Sequence, residues 1–146
     1  MLIIFFTLYI GLTFGQTKNN STKQAYLAEQ KIIGRAFSKY FYPNYSKLYS
    51  LTEKEFVPKI DSARDLFNAL IGKYKDRLDS KYVNDQNLEV KYYFDRILVD
   101  YPNNHDTYQQ TDKETNFSSK LLKRIQSNLK DFNKTELLAN SDLKNM

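Results

Sequence analysis

"TEKEFVPKIDSARDLFNALIGKY", residues 52–74, is the stretch on which the fold turns. Thr52 and Glu55 stand three apart ahead of an apolar run, the spacing of a capping box. In that motif the hydroxyl meets the Glu55 amide and the carboxylate returns to Thr52. Phe56, Ile60, Ala63, Phe67, Leu70, Ile71 and Tyr74 then follow at intervals of three and four, so they share one face of a helix. Pro58 falls early, where the amide it lacks has little intrahelical use; a bend is expected there and a break is not. Such a helix must bury its apolar stripe against other elements.

Upstream, Ser21 or Thr22 can cap a helix over 23–41. Its stripe is Tyr26, Ile33, Ala36, Phe37 and Tyr40, flanked by Ile32 and Phe41, and Pro43 ends it. Gly34 costs helix propensity and is expected to let a neighbouring helix approach closely. Downstream, Asn84 or Asp85 can cap a run ending near Tyr101, with Leu88, Phe94, Ile97, Leu98 and Tyr101 inside. Pro102 is expected to stop that helix, leaving a polar loop from Pro102 to Glu114 that carries His105. Ser118 or Ser119 precedes a fourth stripe of Leu121, Leu122, Ile125, Leu129 and Phe132. Thr135 opens "ELLANSDLKNM", a helix start with no C-cap glycine, which reads as cut rather than finished. The expectation is an all-α fold: four main amphipathic helices in a small irregular bundle, with a truncated fifth helix at the C-terminus.

Residues 1–15, "MLIIFFTLYIGLTFG", carry no charged side chain and turn polar at Gln16. Thirteen apolar residues of helix rise only about 20 Å, short of a bilayer core. Small residues before the boundary complete the pattern of a secretory signal peptide, though no Lys or Arg precedes the apolar run. The domain plan is therefore a signal peptide at 1–15, a flexible lead at 16–23, a helical domain at 24–134, and at 135–146 a further helix start or a linker to a missing domain. Export to the periplasm or cell envelope is expected, with no stable membrane span after cleavage.

Beyond residue 15 the only glycines are Gly34 and Gly72, too few for hairpins, phosphate loops or dinucleotide folds. Cysteine is absent, which removes disulfides, thiolate nucleophiles and thiolate metal sites. His105 is the sole histidine, and Asp100 and Asp106 near it do not make up the three or four matched ligands a metal needs. Asp61 and Asp65 lie four apart on one helix face, but Lys59 and Arg64 surround them and the pair reads as solvated surface. Lys120, Lys123, Arg124 and Lys130 form the densest basic cluster; a net charge of +5 is modest, and nucleic-acid binding is not expected. No catalytic residue, cofactor or metal site is assigned. Tyrosine-rich segments around Tyr42–Tyr49 and Tyr101–Tyr108 offer contact area with a polar tip. Tyr45, Tyr49, Tyr101, His105 and Tyr108 are the candidate interaction surface.

The ordered set "YYFDRILVDYP" (92–102) with His105, the helix bearing Phe117, Leu122 and Ile125, and "ELLANSDLKN" resembles one family. It is similar to the helical N-terminal region of exported TlpA-type thioredoxin-like thiol–disulfide oxidoreductases of Gram-negative bacteria, over roughly residues 24–146. The resemblance implies an accessory module whose partner is a thioredoxin-like domain in cis, missing from this chain. That family's redox work rests on a Cys-x-x-Cys pair, which this sequence lacks, so no functional residue carries over; disulfide exchange requires a thiolate. The other class of reading is a self-contained exported interaction protein that binds a peptide, a glycan or an envelope protein.

Overall fold

The computed structural model describes residues 3–110 and 114–129, with side chains over 20–110 and 114–128. Helices follow one another as α1 (Ile3–Phe41), a 3₁₀ turn (Tyr42–Asn44), α2 (Tyr45–Tyr49), α3 (Glu53–Tyr74), α4 (Ser80–Val99), α5 (Tyr101–Gln109) and α6 (Ser119–Leu129). No strand occurs among the described residues. The fold is all-α, and α1, α3, α4 and α6 are the four main helices. Among the described residues no helix is long and apolar enough to cross a membrane. The expected fifth helix at 135–146, and with it Lys130 and Phe132, lies outside the described residues.

The helix at 53–74 forms as its spacing requires. Glu55 accepts the Thr52 amide at 3.1 Å and the Thr52 hydroxyl at 2.7 Å, closing the capping box. Pro58 lies inside α3 without ending it. Phe56, Ile60, Leu70, Ile71 and Tyr74 are buried, with Ala63 and Phe67 packed beside them. Their main partner is α4, which returns antiparallel after a short turn. Asp79 caps α4, taking the Lys81 and Tyr82 amides on Oδ1 at 2.9 and 3.2 Å. Asn84 and Asp85 therefore lie inside the helix, not at its start.

Polar bonds fix α1 on one side of this pair. The Glu29 carboxylate accepts from Lys73 Nζ at 2.6 Å and from the Tyr74 hydroxyl at 2.7 Å on α3. Gln30 Nε2 and the Tyr26 hydroxyl both donate to Gln86 Oε1 on α4, at 2.7 and 2.9 Å. Lower down, the Phe37 ring meets Phe94 with centroids 5.4 Å apart. The buried stripe is Tyr26, Phe37 and Phe41; Tyr40 and Ala36, expected inside, are exposed, and Ile32 is 67% exposed. Ser21 and Thr22 do not cap, because α1 runs straight through them and through the expected lead at 16–23.

On the opposite side lies α6. Leu121 and Ile125 are buried, while Leu122 faces outward. Arg124 forks onto Asp61 of α3 at 2.7 and 2.9 Å, and Asn128 Nδ2 donates to Asp95 of α4 at 2.7 Å. Glu53 accepts the Ser118 amide at 2.8 Å, which ties the start of α6 to the start of α3.

One end of the bundle departs from expectation. Helix α4 does end ahead of Pro102, at Val99, but no loop follows, because Pro102 also begins the next helix. Proline at the first helical turn lacks only an amide that would have no partner there. Tyr101–Gln109 is thus α5, with Pro102 in that position, and it closes at Gln110 in the left-handed conformation (φ 51°). His105 lies within this helix and not on an exit loop.

Candidate functional site

The five expected surface residues divide in two. Tyr49 and Tyr101 are 1% and 2% exposed, so neither can serve as a contact surface. Phe56, fully buried, lies between their rings at 4.9 and 4.8 Å. Their hydroxyls are satisfied inside: Tyr49 donates to the Ile97 carbonyl at 3.2 Å and Tyr101 to the Leu51 carbonyl at 2.8 Å. Burial raises the phenol of Tyr49 and pushes that of Tyr101 up to about 12, so both stay neutral donors. Tyr45 is half-buried, its ring tilted against Tyr49 with centroids 4.6 Å apart and edge-on to Tyr108. Only Tyr108 is truly exposed.

His105 bonds through Nδ1 to the Tyr49 carbonyl at 2.8 Å and lies against the Tyr101 ring. Asp106 beside it accepts the Thr115 amide at 2.9 Å, and hydrogen bonding from the Thr115 side chain, then from this amide, holds its carboxyl below the usual range. Among the described residues no three His, Asp or Glu side chains converge as a metal would require. The imidazole works as a clasp between α5 and α2.

Nor do Asp61 and Asp65 form a pair of acids. Asp61 is taken by Arg124 and by Arg64 at 3.2 Å, whereas Asp65 is exposed and reaches Arg64 only at 4.0 Å. Arg124, read as part of a basic cluster, is spent on this bond, which raises its pKa further. Asp95 is buried and its Oδ1 has no hydrogen-bond partner among the described residues. Desolvation raises its carboxyl, with the Asn128 bond working in the other direction.

The feature that sequence reasoning missed lies between α1 and α4. These helices are bridged at Gln30–Gln86 and again at Phe37–Phe94, and between the two bridges a groove of about 370 Å³ opens. Phe37, Phe67, Val90, Tyr93 and Phe94 give it an aromatic and aliphatic lining, with Gln30, Ser38 and Glu89 as its polar members. Gly34 stands on the rim. A Cβ built there meets nothing within 4 Å, so this glycine does not serve the close helix contact expected of it. Along the outer edge of α1, Lys31, Arg35 and Lys39 recur every four residues, beside a shallow surface that shares Gly34 and Ser38 with the groove. All three are exposed, and none has a carboxylate partner among the described residues. An open glycine inside an aromatic stripe, with bases at fixed spacing beside it, was the signal in the sequence.

Comparison with protein-family models, with curated proteins and with solved structures returns no match to this chain.

Proposed function

We propose that the chain is a non-catalytic helical accessory module of an exported thioredoxin-like thiol–disulfide oxidoreductase, acting by contact and not by turnover. The observation that carries this reading is the engagement of its reactive groups. The one imidazole is clasped to a backbone carbonyl, Asp61 is forked by arginine, and Asp95 is buried against Asn128. Each links two helices, so each contributes to structure, and the chain brings no thiol of its own. The thioredoxin-like partner comes from the family resemblance alone, and export from the apolar leader.

Reading the coding DNA past codon 146 tests the partner in cis. An in-frame thioredoxin-like segment with a Cys-x-x-Cys pair is expected; a stop codon with no such segment refutes it. N-terminal sequencing of the protein from its own envelope tests export, with Gln16 as the expected first residue.

A second reading, a self-contained exported protein that binds a peptide, a glycan or an envelope protein, is favoured by the groove between α1 and α4. Here capture would be lost on filling the groove, whatever lies downstream in the gene.

A further inference from the structure

We infer that the α1–α4 groove is a docking site for an acidic amphipathic helix of a partner protein. The inference rests on reading the chain as a binding module and names the class of segment it takes. Three features converge. The lining is mainly aromatic and aliphatic, with Phe67, Val90, Tyr93 and Phe94 contributing and the Glu89 carboxylate among its polar members, and burial of apolar side chains there is favourable. The volume of about 370 Å³ is enough to take several apolar side chains. The edge is basic in one register only: Lys31, Arg35 and Lys39 rise along α1 by about 6 Å per step, the repeat of carboxylates spaced four apart on a second helix laid alongside.

Charge complementarity selects the occupant. A helix that places apolar residues at i, i+3, i+4 and i+7 into the groove turns its neighbouring positions toward α1. Glu or Asp at those positions meets three cations with no ion-pair partner of their own among the described residues. Lysine there would meet like charge. The net charge of +5 adds attraction at longer range. Gly34 carries no side chain, and the space beside it on the rim is open, which leaves room for a partner's backbone to approach.

The test uses the full chain and three synthetic labelled peptides of roughly fifteen residues, long enough for about four helical turns. One is amphipathic with Leu on one face and Glu beside it, one has the same composition scrambled, and one carries Lys in place of Glu. Fluorescence anisotropy is expected to show binding of the first, weaker by about tenfold or more for the other two, and falling between about 0.05 and 0.5 M salt. Gly34→Trp fills the groove without removing a core residue; it should keep the unfolding midpoint and lose about tenfold or more in affinity. The triple change K31E/R35E/K39E alters only exposed positions and should transfer preference to the Lys peptide.

Equal binding of the scrambled peptide, or unchanged affinity of a folded Gly34→Trp variant, overturns the proposal. So does binding to vesicles of anionic lipid by a chain that ignores all three peptides. If a thioredoxin-like domain still associates with Gly34→Trp, the groove assignment falls while the module reading stands. Disulfide exchange or other turnover by the purified chain removes the module reading and leaves peptide affinity as a separate result.

Discussion

His105 Nδ1 lies 2.8 Å from the carbonyl oxygen of Tyr49, joining α5 to α2 across the end of the bundle. A carbonyl can only accept, so Nδ1 carries the hydrogen. The ring also packs on Tyr101 with centroids 5.1 Å apart. His105→Phe keeps the ring and loses the bond, and should destabilise the fold by about 1 kcal/mol. His105→Ala loses both and should cost more. Urea unfolding checks this; two variants as stable as the parent would show that the clasp holds nothing.

Phe56 lies between Tyr49 and Tyr101 with none of its surface exposed. Truncation leaves a cavity that the two flanking rings cannot easily close. Phe56→Ala should lower the unfolding free energy by about 3–5 kcal/mol. A loss below about 1 kcal/mol would mean that α2 and α5 repack freely.

Asp95 and Glu29 give opposite pH dependence. Burial raises the Asp95 carboxyl above its unfolded value, so the native state holds the proton more tightly than the unfolded chain. Its contribution is fully present below the ordinary carboxylate range, near pH 4, and is lost as pH rises through the higher folded value. Asp95→Asn should therefore raise stability at neutral pH and remove that slope. Glu29 is held low by its bonds to Lys73 and Tyr74. Its contribution is present above the usual range and lost as pH falls through the lowered value, and Glu29→Gln should remove it. This exposed bond should also weaken with salt. Unfolding curves from pH 3 to 8 separate the two; the same slope change in both variants would contradict the assignment.

Gly34 lies mid-helix with no positive φ, and its missing Cβ would touch nothing. Gly34→Ala should thus stabilise the bundle by roughly 0.5–1 kcal/mol, the ordinary helix-propensity gain. A destabilised variant, read by thermal unfolding, would place another element against that rim.

Periodicity made the four main helices legible, because each apolar stripe must find a core and the Thr52–Glu55 box marks its helix locally. Pro102 marked the end of one helix, but it also opens α5, which has no apolar stripe of its own and is recognised only by its docking on α2. Asp79 was overlooked beside Asn84 and Asp85, since several residues able to cap stand in a row. Tyr49 and Tyr101 read as surface because tyrosine pairs an apolar body with a polar tip; the backbone carbonyls that satisfy those tips are 48 and 50 residues away in sequence. The groove draws residues from α1, α3 and α4, and its existence depends on α1 standing off from α4 between its two bridges. No single stripe encodes that spacing.

A partner can dock only if that groove is open. The native chain has no cysteine, so Gly34→Cys introduces a single thiol on the rim. Its rate of modification by a thiol reagent should lie within about tenfold of the rate in the denatured chain, with the unfolding midpoint retained. Protection by several orders of magnitude in the folded state would show that α1 and α4 close on each other and leave no place for a partner to dock.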